Sequence, residues 1–226
     1  CNETLNGAWT QMRNRIGANI QDMENPFPDV IIADKVRLTQ KAMENLILLG
    51  DTASLDPNLA FFDGLVKLWD ADGDLNTVTV ATPITVSNGY TELKKVARAI
   101  PTVLRSNGVL TEIICGQEVA DFCIDQIWND KDYNATIETT RNEAGEMSFV
   151  LPGTDVTVRV QPQLNGTEKI YAVPYSYVSY ATDGNADEEG FEVKYNDTDE
   201  KLRVGVKFRL GVNYVFPEYF TKAVNA

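Results

Sequence analysis

Three carboxylates at alternate positions, Asp70, Asp72 and Asp74, come nearest in this chain to the spacing of a ligand set. Calcium loops put oxygen donors at such alternate positions because a hard cation is held by many oxygens at short range. The rest of the loop is missing: Leu75 stands where a glycine makes the sharp turn, and Ala81 where a glutamate closes the shell. The triplet therefore reads as an acidic turn and not as a cation site.

The other groups that could do chemistry have equally ordinary readings. Asp183, Asp187, Glu188 and Glu189 could gather a cation or meet a basic patch on another copy, but dense acidic runs face water and this one reads as a solvated loop. Lys201, Arg203, Lys207 and Arg209 form a basic row at strand spacing. One face of a half-buried strand has to be polar, so the row does not by itself make a nucleic-acid site. Tyr175, Tyr177 and Tyr180 could stack a ligand; packing in a core or an interface is the expectation. Asn134, Asn165 and Asn196 begin glycosylation triplets that have no accompanying secretory signal.

The 226 residues include no histidine, which excludes Ser-His-Asp and Cys-His catalysis as well as histidine-ligated metal sites. There is no glycine-rich phosphate loop, nucleophile elbow or Cys-x-x-Cys pair. Cys115 and Cys123 read as small buried apolar groups, and with Cys1 they are too few for a disulfide framework. A carboxylate-based hydrolase stays open as an alternative because paired acids have no fixed spacing. No catalytic, cofactor-binding or metal residue is assigned.

These residues must be positioned by elements whose periods are readable. Leu5, Trp9, Met12, Ile16, Ile20 and Met23 recur at helical spacing until Pro26 and Pro28. A second helix is predicted through Val36, Met43, Leu46 and Ile47, with Asp34 as N-cap and Gly50 as stop. Residues 50–74 read as a loop carrying one brief ordered segment. Thr77 to Val86 reads as extended, with Pro83 marking an edge or connector. Leu93, Val96, Ile100, Val103 and Leu104 keep helical spacing through Pro101, predicting one kinked rod closed by Asn107-Gly108. A buried strand at Val109 to Cys115 and a helix from Gln117 to Trp128 follow.

The remainder is β-patterned. Val156, Val158 and Val160 alternate, Asn165-Gly166 marks a turn, and Ile170 to Val173 makes another strand. Phe191, Val193 and Tyr195 begin a hairpin whose return alternates from Leu202 to Tyr214. At about 3.3 Å per residue that return would reach about 43 Å as one strand.

The order of these elements, with several short motifs, resembles the major capsid proteins of tailed phages. That Hong Kong 97-type fold is shared by encapsulins and the herpesvirus shell floor. Asn45-Leu46-Ile47-Leu48-Leu49-Gly50-Asp51-Thr52, followed by Phe62-Asp63-Gly64-Leu65, is similar to the family's helix ending in a Gly-Asp step and its Gly-Leu segment. Leu93 to Arg105, with Ala99-Ile100-Pro101, resembles the long spine helix. Leu110 to Cys115 with Gln117 to Trp128 resembles the opening of the axial domain. Leu151-Pro152-Gly153, Val156 to Val160 and Lys169 to Asp183 resemble its later parts. Phe208-Arg209-Leu210-Gly211 and Phe216-Pro217 resemble the closing peripheral strands.

The resemblance implies a mixed α/β (α+β) subunit with a spine helix and a β ribbon. Its peripheral domain would comprise residues 1–108 and 181–226, and its inserted axial domain residues 109–180. It implies a structural protein and not an enzyme, without cofactors, that assembles from copies of itself as hexamers and pentamers into an icosahedral shell. Scaffold and portal proteins are its implied partners, and packaged DNA is enclosed without sequence-specific contact. An encapsulin-like nanocompartment shell is the neighbouring alternative.

Charge and hydropathy fit that expectation. Twenty basic and 33 acidic residues leave a net charge of −13, which repels polyphosphate. Hydrophobic residues at 43% suffice for a packed core, and no apolar run is long enough to cross a bilayer. The expected location is the virion capsid, made in the bacterial host cytoplasm. The chain starts at Cys1 and not at a methionine, so it is expected to have lost a natural N-terminal segment. The family's flexible arm and extended loop have no clear counterpart before Cys1.

Overall fold

The computed structural model describes residues 26–129, 139–141, 147–182, 191–196, 201–206 and 210–225. The predicted helix through Leu5 to Met23, the acidic block from Asp183 to Glu189, and Lys207 and Arg209 lie outside them.

Helix α1 (Pro26–Leu49) is longer than the apolar stripe predicted. Pro26 and Pro28 sit in its first turn, where a missing N–H costs nothing, so they start this helix. Asp34 consequently lies inside the helix and is not its N-cap. Gly50 ends it as expected, donating its N–H to the Leu46 carbonyl at 2.9 Å. Short helix α2 (Leu65–Ala71) is the ordered piece of the 50–74 loop.

Strand β1 (Asn76–Val80) leads to helices α3 (Gly89–Ala99) and α4 (Thr102–Ser106). The predicted single kinked rod is two helices. Pro101 disfavours helical geometry in the residue before it, and Ile100 and Pro101 are both extended, with ψ of 127° and 132°. The Arg105 guanidinium then donates to the freed carbonyl of Ala97 at 2.5 Å. Asn107-Gly108 closes α4 as predicted. Gly108 at φ 65° donates to Arg105, and Val109 donates back to Leu104, the Schellman pattern.

Strand β2 (Thr111–Cys115) and helix α5 (Gln117–Asn129) fall where predicted. Then come β3 (Thr139–Arg141), β4 (Met147–Val150), β5 (Thr157–Val160), β6 (Ile170–Pro174), β7 (Val178–Thr182), β8 (Phe191–Asn196), β9 (Lys201–Val206), β10 (Leu210–Tyr214) and β11 (Thr221–Asn225). One mixed seven-stranded sheet runs β1-β11-β6-β2-β5-β4-β3, so β1 is the edge that Pro83 suggested. Strands from 109–180 and from both flanking segments share this sheet.

The expected hairpin of β8 with β9 forms, with Phe191 opposite Val206 and Tyr195 opposite Leu202. The predicted long return strand does not keep one partner: β9 pairs with β8, whereas β10 pairs with β7 in a second two-stranded sheet. Alternation fixes which side chains share a face but does not choose the neighbour.

The large sheet is the middle of three layers. Ile113, Cys115, Val158, Ile170 and Ala172 pack under α3 and α5, while Ile114, Tyr171 and Val173 pack against α1, α2 and the β7–β10 pair. Strands β2 and β6 are buried along their whole length because both faces are covered. Helix α3 lies over β1, β11 and β6, beside α5. Among the described residues no helix is long and apolar enough to cross a membrane.

Candidate functional site

Two of the motifs singled out in the sequence meet in space. After α1 ends, the backbone at Gly50 crosses the backbone at Gly64, whose N–H donates to the Gly50 carbonyl at 2.7 Å. A Cβ on Gly50 would lie 2.4 Å from the Phe62 carbonyl oxygen, and one on Gly64 would lie 2.5 Å from the Gly50 nitrogen. Only glycine fits at both points of the crossing.

Charged groups clamp the joint. Lys67 Nζ donates to Asp51 Oδ1 and Asp63 Oδ1, each at 2.7 Å. Thr52 donates its N–H and its hydroxyl to Asp63 Oδ1 at 2.9 and 2.8 Å, and Ala53 N–H donates to Asp51 Oδ1 at 2.8 Å. The Lys67 ammonium, ahead of the Thr52 donors, holds the Asp63 carboxyl down to about 2. Lys67 and Ala53 lower Asp51, and the two carboxylates raise Lys67 in return.

The acidic turn lies at the other end of α2, where helix carbonyls run out of partners. Lys222 Nζ takes three of them, donating to the carbonyl oxygens of Trp69 at 3.0 Å, Asp70 at 3.2 Å and Asp72 at 2.6 Å. The carboxylate of Asp70 pairs with Lys169 at 2.5 Å and accepts from the Tyr171 hydroxyl at 2.7 Å. Asp72 accepts from the Tyr214 hydroxyl at 2.6 Å, which lowers its carboxyl. Burial first, then these acids, push both phenols well above the usual tyrosine range. Asp70 and Asp72 thus serve as anchors for β6, β10 and β11, and the Asp74 N–H closes the turn on Asp72 at 2.8 Å. Among the described residues no three His, Cys, Asp or Glu side chains are grouped to hold a metal.

Between these two locks Trp69 is 1% exposed, with its ring 5.1 Å from Tyr171 and 6.0 Å from Phe220. It also lines a cavity of about 400 Å³ between α1, α2 and the sheet, walled by Ile47, Leu48, Leu65, Ile114 and Val173, with Arg159, Gln161, Gln163 and Tyr175 around it. A larger groove of about 1040 Å³ beside α1 is lined by the acids Glu44 and Asp56 and by the bases Arg37 and Lys41. Asp56 Oδ1 is committed to its own turn, accepting from the backbone and side-chain amides of Asn58 at 2.9 and 3.0 Å.

The remaining residues singled out in the sequence scatter. Tyr177 packs on Phe216 at 5.4 Å and on Tyr219 at 5.5 Å. Tyr175 is partly exposed with the Arg159 guanidinium 5.8 Å from its ring, and Tyr180 is exposed. The Asn165 side chain accepts from the Gln117 N–H at 2.8 Å and so caps α5. Lys201 and Arg203 lie on β9. Cys115 and Cys123 are buried and unpaired as expected, and burial pushes the Cys123 thiol up to about 12 and Cys115 further.

Lys67, Lys222 and the half-buried pair of Glu112 with Arg159, joined at 2.7 and 3.0 Å, were not picked out from the sequence. Two of them carried a signal: Glu112 is the lone charge in an apolar run, and Lys222 the lone charge in a short terminal strand. No protein-family model matches the chain, and no curated protein matches it.

Proposed function

We propose that the chain is a shell subunit of the Hong Kong 97 type, copies of which tile a closed container around phage DNA. The observation that carries the reading is the interlock at Gly50 and Gly64. The helix ending in Gly-Asp and the Phe-Asp-Gly-Leu segment, matched separately in the sequence, form one joint with a shared ammonium clamp. The elements that follow keep the order of the resemblance, with α3 and α4 standing where it implies one long spine helix, and then a fully buried strand, a helix and paired strands.

The role is mechanical. A tile must transmit contact forces without deforming, and a sheet covered on both faces, with α2 fixed at each end, suits that load. The partners proposed are copies of the chain in hexamers and pentamers, with scaffold and portal proteins. Enclosed DNA would meet a body of charge −13, which contains polyphosphate without adhering to it.

The test is electron microscopy and light scattering of the protein expressed at its full natural length. Particles of uniform diameter are the expected result. Persistent monomers at high concentration would overturn the proposal.

A further inference from the structure

Trp69 and Gln163 both line the 400 Å³ cavity, and each carries a buried polar atom with no hydrogen-bond partner: the indole Nε1–H of Trp69 and the amide Oε1 of Gln163. Buried donors and acceptors are almost always satisfied, and leaving one unpaired costs about 1–3 kcal/mol. One orphan donor and one orphan acceptor in a mostly apolar recess call for a neutral occupant with an apolar body, one acceptor and one donor. A tryptophan at the end of a helix supplies all three: its rings, its indole N–H, and the terminal carbonyls that lack an intrahelical N–H.

The chain carries such a group. Trp128 lies in the last turn of α5 and is 76% exposed. Helix α5 packs on the face of the sheet opposite the cavity, so Trp128 cannot reach its own recess. Phe61 and Tyr180 are also exposed, but the loop of 50–64 and β7 adjoin α2 and the cavity side. A contact built only from like faces closes at two copies, whereas a contact between opposite faces runs head to tail and can close a ring.

We propose that the cavity is a docking pocket for Trp128 of a second copy of this chain, with the incoming indole N–H donating to Gln163 Oε1 and a terminal α5 carbonyl accepting from Trp69 Nε1–H. The inference rests on the shell reading, because it names the contact by which copies would join.

The test compares the full-length protein with Trp128→Ala, Trp69→Phe and Gln163→Leu by light scattering, with circular dichroism and thermal melts to verify folding. Each substitution is expected to raise the critical concentration for assembly about tenfold or more, as for a hot-spot contact. A second arm keeps Trp128 and Gln163 and mixes Asn129→Cys, next to the docking residue, with Gln161→Cys on the cavity wall, both in a Cys1→Ser background, and maps intermolecular disulfides under oxidation. A 129–161 linkage formed only in the mixture supports the contact. Should the wild type assemble while folded Trp128→Ala and Gln163→Leu assemble equally well, or should no 129–161 linkage form, the docking pocket is overturned and the shell reading stands. A wild type that never leaves the monomer overturns both.

Discussion

Lys67 serves two carboxylates with one ammonium, and the pH dependence of stability should report it. Asp63 titrates at about 2 in the fold against an ordinary 3.8, and Asp51 is lowered as well. Their contribution is therefore complete above about pH 4 and is lost as the pH falls toward 2; that of Lys67, whose pKa is raised above 10.5, is present below that pH and fades above it. Lys67→Met should lower the denaturation midpoint at neutral pH and flatten the acid limb between pH 4 and 2, as measured by chemical unfolding across that range. A parallel acid limb in the variant would show that the clamp contributes nothing. The residue types of this joint were legible, since Gly50, Asp51, Asp63 and Gly64 all stood in motifs singled out in the sequence. Their lysine was not: Lys67 lies in the first turn of a short helix, where no local pattern marks it as a partner of two carboxylates.

At the scale of elements, periodicity located most helices and strands and said less about their joins. The stripe from Leu93 to Leu104 stays in phase through Pro101 because both α3 and α4 bury the same side; Leu93, Val96 and Leu104 are all buried. Phase alone cannot reveal that two residues between them leave helical geometry. Gly108 was legible as a stop, and the left-handed φ of 65° explains why. Gly108→Ala should cost about 1–2 kcal/mol, the penalty of a Cβ in that conformation. Nothing lies within 4 Å of the added carbon, so the loss would be conformational and not steric. Urea denaturation with an unchanged m-value would confirm it. In the strand return, alternation gave the inward side chains of β10, Val212 and Tyr214. The change of partner from β8 to β7 depends on long-range packing that no local pattern encodes.

For the whole molecule, the three-layer build predicts a gradient of local stability. Amides of β2 and β6, covered on both faces, should exchange slowest with solvent. Those of the β8–β9 hairpin, which pairs with no third strand among the described residues, should exchange at least tenfold faster. Hydrogen-exchange mass spectrometry resolves these segments, and equal protection would contradict the layering. The α/β character and the buried strands were readable because composition and apolar runs report burial directly. The route by which β11 threads between β1 and β6 was not, for the pairing of Asn76 with Thr221 spans 145 residues. That threading also sets a timetable for synthesis. Strand β1 is made well before β11, its one neighbour in the sheet among the described residues, so the nascent chain carries an unmatched strand until β11 emerges 145 residues later. Ribosomes stalled a few residues earlier would display a polypeptide whose sheet lacks two strands, and chaperones should still be holding it.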